Sequence, residues 1–470
     1  MSTPPLPPAF VERMTSLLGD EAEAFFASYD QPARPGLRVN PRKIAPDQFQ
    51  ELAPWPLEPI PWCKDGFYLP EGAPAGKHPW HAAGVYYLQE PSAMAPVAAL
   101  GLGPGQAVAD VCAAPGGKST QILSELDARS LLVANEVIGS RVKPLGENLE
   151  RWGARQAIIT NQEISRMAAA RPGQCDRVLL DAPCSGEGLF RRTPEARVEW
   201  SPAHVEGSAR RQQSLLESAA GLVVPGGELV YSTCTFAPEE NEQVIAAFLD
   251  THPEWEIVPI DANLLPGATG GRTDWAKTTH DLSGMARLWP HRIEGDGHTL
   301  AHLRRIDGLA PSGSAGASIG ARRNQTPTVP AQLSSFLEAF TPGYRLEGQL
   351  VQQDDGLFLL PPAADRLGPF PMIRKGLWLG TLAPGRFTPS HAFALSLQPS
   401  ECSLVESLDF EEAARYLSGE TLTKPGQPGW VLITIDGFPL GWGKRSGNII
   451  KNHYPKGLRR PIASWMSAAS

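Results

Sequence analysis

From about Leu88 to Ile306, short apolar runs alternate with amphipathic stretches, and that alternation restricts the fold more than any other feature of the chain. The runs are Ala107–Val111, Leu131–Glu136, Ala157–Thr160, Val178–Asp181 and Glu228–Ser232. Helical patterns cover Ser119–Leu126, Ser140–Trp152, Ala203–Val224 and Glu239–Leu249. Strands that alternate with helices build βαβ units, so an α/β domain with a doubly wound, mostly parallel sheet is expected. Such sheets hold their chemistry just beyond the carboxyl ends of the strands. Three strand ends stand out: Asp110-Val111-Cys112-Ala113-Ala114-Pro115-Gly116-Gly117-Lys118, Asp181-Ala182-Pro183-Cys184-Ser185-Gly186 and Ser232-Thr233-Cys234-Thr235.

The first of these is a Gly-rich turn from strand to helix. Adjacent glycines let the backbone approach a ligand closely, and the helix beginning at Ser119 offers unpaired N–H groups. The spacing is neither G-x-G-x-x-G nor the Walker pattern, and an ordinary strand–helix connection can look the same. The next strand decides, because it ends at Glu136, placed to accept hydrogen bonds from ribose hydroxyls. No phosphate-binding spacing is needed, so a non-phosphorylated nucleoside cofactor is expected, with S-adenosylmethionine the obvious candidate.

The two thiols suggest covalent chemistry. Carbon 5 of a pyrimidine is a poor nucleophile, but addition of a thiolate at carbon 6 turns it into an enamine carbon, dividing one hard step into easier ones. Asp181 could hold the ring through N3 and the exocyclic amine, which favours cytosine over uracil. Either thiol can be the nucleophile on this reading. Pro183-Cys184 looks like the Pro-Cys nucleophile of DNA cytosine-C5 methyltransferases, whereas Thr233-Cys234 suggests another arrangement. Buried structural cysteines are the bland alternative.

The remaining composition narrows the setting. The chain has 470 residues, too many for one compact core, so roughly two to four domains are expected. No apolar stretch approaches the roughly twenty residues that span a bilayer, and Met1–Pro8 lacks the features of a secretory signal. A cytoplasmic protein without membrane association follows. The six cysteines are scattered without a C-x-x-C pair, so neither disulfides nor a metal site is expected.

A net charge of −8 argues against nucleic acid as a partner on average, but the distribution points the other way. Beyond Lys424, the residues Lys444, Arg445, Lys451, Lys456, Arg459 and Arg460 face a lone Asp436. Trp430, Trp442 and Tyr454 interleave with them, a mixture suited to stacking on unpaired bases, or else to the core of a small β module. Arg191 and Arg192 could hold phosphates beside a target base, or be inert surface residues.

The three strand-end motifs, together with Pro238-Glu239-Glu240-Asn241-Glu242, Arg38-Val39-Asn40, Gln89-Glu90-Pro91-Ser92 and Arg141-Val142-Lys143, resemble the Nol/Nop/Sun RNA cytosine-C5 methyltransferases. The resemblance covers roughly Gly36 to Arg305. It implies that Cys234 is the nucleophile and that Cys184 helps resolve the adduct. It also places S-adenosylmethionine against Cys112, Ala113, Ala114, Pro115, Gly116, Gly117, Lys118, Glu136 and Asp181. A further cofactor position falls on Glu163 or nearby Asn161. Gly441–Asn448 and Asn452–Pro455 look like the PUA-like end of the bacterial RsmF-like subgroup, and Gly297-His298-Thr299-Leu300-Ala301 fits it too.

The resemblance therefore implies a Rossmann-like S-adenosylmethionine-dependent domain at 88–306, after an N-terminal RNA-binding segment at 1–87. A flexible linker at 307–328 would lead to a β-rich first C-terminal module at 329–398 and a PUA-like RNA-binding module at 399–470. The expected activity is 5-methylcytosine formation in 16S ribosomal RNA, free or in the 30S subunit, by a monomer. A tRNA substrate is the nearest alternative, and a non-catalytic ribosome assembly factor the alternative from another class.

Overall fold

The computed structural model describes residues 4–307, 329–367 and 371–467, so the expected linker at 307–328 lies, beyond Asp307, outside the described residues. Four short strands come first: β1 (Gly36–Val39), β2 (Glu58–Pro59), β3 (Gly66–Tyr68) and β4 (Tyr86–Leu88). They form an antiparallel sheet in the order β2-β3-β1-β4.

Nine strands build the central sheet. They are β5 (Ala107–Asp110), β6 (Leu131–Asn135), β7 (Ala157–Thr160), β8 (Cys175–Asp181), β9 (Val223–Thr233), β10 (Trp255–Ile257), β11 (Thr269–Gly270), β12 (Ala286–Leu288) and β13 (His298–Arg305). The order is β11-β12-β13-β9-β8-β5-β6-β7, with β10 also on β13. The five strands from β9 to β7 are mutually parallel, and these are the five apolar runs seen in the sequence. Their side chains alternate between two cores: Ala109, Val133, Ile158 and Val178 pack on one face, and Val108, Leu132, Ile159 and Leu179 on the other. Burial on both faces makes such strands continuously apolar.

Two helix boundaries differ from the sequence expectation. The helix Pro202–Ala220 stops before Val224, because Leu222 and Val223 leave it to enter the core and begin β9. The helix expected from Glu239 instead spans Glu242–Thr251. Asn241 interrupts it: its side-chain amide donates to Thr235 O (3.0 Å) and Ala237 O (2.9 Å), and its Oδ1 accepts from Thr233 Oγ1 (2.6 Å).

The N-terminal helices Pro8–Leu18 and Ala22–Ala27 bring Phe10, Phe25 and Tyr29 into a cluster with Phe190, Trp200, Phe236 and Trp289. Phe190 and Phe236 lie on the loops that follow β8 and β9, so this aromatic cluster braces both. Beyond residue 328, β14 (Gln349–Gln353), β15 (Gly356–Leu360), β16 (Leu377–Ala383) and β17 (Arg386–Pro389) form an antiparallel meander. The last sheet comprises β18 (Val405–Leu408), β19 (Leu422–Thr423), β20 (Gly429–Ile435), β21 (Phe438–Ser446) and β22 (Ile449–Asn452), in the order β18-β20-β21-β22-β19. Among the described residues no helix is long and apolar enough to cross a membrane.

One ion pair inside this framework is fully buried. Arg287 on β12 donates through Nε to Glu242 (2.7 Å) and through Nη1 to Phe236 O (3.1 Å). Its guanidinium also lies 4.8 Å and 5.1 Å from the ring centres of Trp275 and Trp289. Removing one member of such a pair leaves a buried charge without compensation, at a cost of about 3–5 kcal/mol. Arg287→Met should lower the denaturation midpoint accordingly, and adding Glu242→Gln should restore part of the loss. A double variant no more stable than Arg287→Met would show that the uncompensated carboxylate is not the source of the defect.

Candidate active site

The parallel ladder of β8 and β9 sets Asp181 opposite Ser232. Each strand then turns out of the sheet, and Cys184 and Cys234 meet with their Sγ atoms 3.3 Å apart. Buried polar groups lace the two turns together. Glu240 accepts from Ser185 N (2.9 Å), Gln212 Nε2 (2.8 Å) and Ser185 Oγ. Glu187 accepts from Phe236 N (2.8 Å) and Trp200 Nε1 (3.1 Å), and Gly188 N donates to Cys234 O (2.9 Å). A side chain at Gly188 would meet the carbonyl oxygens of Cys234, Asp296 and Gly297 at 3.0–3.2 Å, so only glycine allows this approach. The hydrogen bond shared with Cys234 and burial together push the Cys184 thiol well above its usual range.

Asp181 lies beside the thiols at the end of β8. Lys118 Nζ is 2.7 Å from Oδ2, Ser232 Oγ donates to Oδ1 (2.8 Å), and His298 Nε2 lies 3.6 Å from Oδ1. Burial alone would raise this carboxyl, but Lys118 and His298 outweigh it and hold Asp181 well below the usual carboxylate range. For Lys118 burial works downward, and the Asp181 pair reverses it, so the ammonium is kept. The site thus holds a fixed acceptor beside two thiols.

The Gly-rich turn after β5 occupies the adjoining strand end. Gly116 takes φ +113°, and the helix Gly117–Glu125 starts directly after it. Arg141 donates to Ala114 O (2.6 Å) and Asn148 to Pro115 O (2.7 Å), which fixes the turn from the neighbouring helix. Arg38 fixes it from β1 by donating to Gly117 O (3.0 Å). Glu136 is buried at the end of β6: Oε1 accepts from Ile138 N (2.8 Å), while Oε2 has no hydrogen-bond partner. Arg141 Nη1 lies 3.5 Å from Oε2 as an ion pair, and a buried acceptor that receives no hydrogen bond fits a ribose hydroxyl, so these residues suit a nucleoside cofactor. Val137 and Ile138 stand exposed directly after it, a pair of apolar side chains the sequence reading did not single out. Burial pushes Cys112 well above its usual range, which makes this thiol a wall of the turn rather than a reactive group.

The structure separates several alternatives that the sequence leaves open. Glu163 is exposed at the start of the helix Ile164–Ala170, whereas Asn161 donates to Glu136 O (2.6 Å) and Val137 O (2.8 Å). The chain turns after β7 so that Asn161, not Glu163, borders the Glu136 loop. Arg191 and Arg192 are both engaged by Asp296, with Arg191 half-buried and Arg192 still exposed. Trp430, Trp442 and Tyr454 are buried as the core of the C-terminal sheets, and Arg445 is buried against Glu406. These aromatics therefore do not form a stacking surface. Lys444 and Lys451 remain exposed and directly opposite each other on β21 and β22. His298 and Glu240 had entered the sequence reading only inside motifs. Their proximity to Asp181 and to the thiol loops depends on contacts across the sheet.

The model of 16S rRNA methyltransferase RsmB/F matches residues 97–304. Those of the RsmF N-terminal domain, the RsmF rRNA methyltransferase first C-terminal domain and the methyltransferase RsmF PUA domain match 6–91, 335–397 and 404–460. A ribosomal RNA small subunit methyltransferase F from Erwinia tasmaniensis is 36% identical across 97% of this chain and 97% of its own length. Its counterpart from Vibrio cholerae is 32% identical across 97% and 98%. The chain belongs to the RsmF family of 16S rRNA methyltransferases. A solved methyltransferase homolog protein from Pyrococcus horikoshii has a TM-score of 0.56 at 30% identity, covering 63% of this chain and 94% of that one. The fold expected from the motifs, a Rossmann-like methyltransferase domain with PUA-like β modules after it, is the fold of this family.

Glu240 makes the thiol loops sensitive to pH. Burial pushes its carboxyl up to about 7, against an ordinary value of 4.5. The folded state therefore favours the protonated acid. That advantage is complete below about pH 4.5 and is lost as pH rises through 7, amounting to about 3 kcal/mol. Glu240→Gln mimics the neutral acid, so its melting temperature should gain on the wild type as pH rises from 4.5 to 8. A constant difference across that range would show that Glu240 does not titrate between folded and unfolded states.

Proposed function

We propose that this chain forms 5-methylcytosine in 16S ribosomal RNA with S-adenosylmethionine as methyl donor, through a covalent adduct between Cys234 and carbon 6 of the base. The observation that carries this reading is the meeting of two thiols at 3.3 Å beside the Lys118–Asp181 pair, next to the Gly116 turn. Membership of the RsmF family supports the ribosomal substrate, and a cytoplasmic enzyme acting on free 16S RNA or the 30S subunit follows from it.

The target cytosine must leave its stack before carbon 6 can reach either thiol. Asp181 is held ionised, so it accepts a hydrogen bond from the exocyclic amine and, once N3 has taken a proton from solvent as the adduct forms, a second from N3–H, a pattern uracil does not offer. The Cys234 thiolate adds to carbon 6, and the carbon 5–carbon 6 π pair becomes available for bond formation at carbon 5. S-adenosylmethionine, when bound, supplies the electrophilic methyl group at that carbon. With Cys234 bonded to carbon 6, its charge no longer holds the Cys184 thiol protonated, and Cys184 as thiolate takes the carbon-5 proton: the C–H pair re-forms the carbon 5–carbon 6 double bond, the sulfur–carbon 6 bond breaks to return the Cys234 thiolate, and N3 releases its proton to solvent. Glu136, Asn161 and the turn Cys112–Lys118 would hold the cofactor, with Glu136 Oε2 on the ribose and Val137 and Ile138 against a flat ring.

We assign the strongest RNA contacts to the segments flanking the central sheet, residues 1–87 and 399–470. On the latter, Lys444 and Lys451 face each other across a strand pair, an arrangement of like charges that an anionic partner relieves.

Glu136→Ala removes the ribose acceptor and should weaken S-adenosylmethionine binding by roughly 2–3 kcal/mol in calorimetry. Unchanged affinity would take Glu136 out of the cofactor site. The thiols should fail differently when 16S RNA, 30S subunits and tRNA are offered as substrates. Cys234→Ala should give no methyl transfer and no adduct. Cys184→Ala should accumulate a protein–RNA adduct that survives denaturing gels, with ribosomal RNA and not with tRNA. An adduct formed only by Cys234→Ala would reverse the roles of the two thiols, and methylation of tRNA alone would overturn the substrate.

A further inference from the structure

His298 is the first residue of β13 and only 4% exposed, with its ring turned toward Asp181. Nδ1 lies 2.9 Å from Gly297 O. A carbonyl oxygen only accepts, so Nδ1 carries a proton. Nε2 lies 3.6 Å from Asp181 Oδ1 and, among the described residues, has no closer polar partner. Asp181 is ionised, and it too only accepts. A neutral imidazole has one N–H and one lone pair, and here the lone pair would point at a carboxylate. Two nitrogens that both face acceptors match the imidazolium, which has a proton on each.

The charges around the ring decide how firmly the second proton is held. From β8, Asp181 attracts it. Lys118, on the helix Gly117–Glu125, opposes it from the far oxygen, 2.7 Å from Oδ2. The ladder pairs Thr299 with Thr233, so Cys234 comes level with His298 as β9 and β13 end, and a thiolate there attracts the proton as well. On the other side the partner of His298 is Leu288 of β12, which carries no charge. On the loop before β13, Asp296 is engaged by Arg191 and Arg192. Glu90 accepts from the backbone N–H groups of Ser92, Ala93 and Asp296.

We propose that His298, as imidazolium, is a positioning residue for the target cytosine: together with Ser232 it fixes Asp181 Oδ1 and keeps the carboxylate an acceptor once the base shuts out water. The proposal rests on the role given to Asp181 above and adds to it a titratable partner for base recognition. When Nε2 loses its proton as pH rises, the lone pair left behind repels Oδ1, and Asp181 is no longer held for the amine and N3–H. The N3–H bond forms only with the adduct, so kcat suffers along with KM.

The test compares the full chain with its variants on 16S RNA across the range in which histidine titrates. His298→Leu should lower kcat/KM by about tenfold at the low-pH end, the effect of losing a hydrogen bond to a charged group. His298→Gln, whose amide reaches the place of Nε2 with a donor that does not titrate, should recover part of that loss. The ratio of kcat/KM for the wild type to that for His298→Gln should fall by about tenfold as pH rises. A constant ratio in active enzymes would overturn the role of His298 alone.

Nitrogen-15 NMR of the histidine-labelled chain reads the ring without RNA. Asp181→Asn should make one histidine lose its second proton at lower pH than in the wild type, and that signal should be missing from His298→Gln. If His298→Gln does not fold, the Asp181→Asn comparison still decides, because no shifted histidine would overturn the pairing. A coupled titration in a chain that methylates no RNA would overturn the role given to Asp181, and that of His298 with it.

Discussion

The parallel pairing of β8 with β9 is the constraint on which the site depends. Asp181 and Ser232 are ladder partners, and Ser232 donates to Asp181, so backbone register and side-chain chemistry agree at one point. From there only a short turn leads each chain to its cysteine. A slip of one residue would turn alternate side chains to the other face and separate Asp181 from Ser232. The ladder continues through β5 and β6, which places the Gly116 turn and Glu136 along the same sheet edge.

What the sheet cannot do is hold the loops. Backbone that leaves a ladder loses its hydrogen bonds, and buried groups must find others. Glu240, Glu187 and Asp296 supply acceptors in the loops around the thiols, and each joins segments far apart in sequence. Phe10, Phe25 and Tyr29 close the outside of the same loops with packed rings. The N-terminal helices are therefore structural partners of the active site, in addition to any contact they make with RNA.

The five parallel strands were legible because burial on both faces makes them apolar throughout, and each ends at a recognisable turn. The strands β11 and β12 were not, since two and three residues carry no periodic signal. β13 was missed because His298, His302 and Arg304 interrupt its apolar positions, satisfied by partners on other strands such as Glu228. The chemistry of the strand ends could be read from residue types, whereas the orientation of the C-terminal aromatics could not. Trp442 is buried because its indole donates to Ser390 O (2.9 Å), 52 residues away, and nothing near Trp442 in sequence announces that acceptor. The same holds for Arg445, whose partner Glu406 lies in β18.

Lys118 links the two halves of the site. It belongs to the helix that begins at the Gly-rich turn, yet its ammonium rests on Asp181, the carboxylate proposed to hold the target base. A half-buried carboxylate beside two thiols would otherwise hold its proton more readily, and a protonated Asp181 would lose one of its acceptor roles. The ammonium removes that option and orients the carboxylate, at the cost of tying the position of Asp181 to the helix start. Any shift of the turn that carries Gly116 and Gly117 is thereby transmitted to Asp181 through one 2.7 Å contact. In the proposed function, the binding of cofactor and the holding of the base are two demands on a single short run of chain, and that turn is fastened from both sides, by Arg38 and by Arg141.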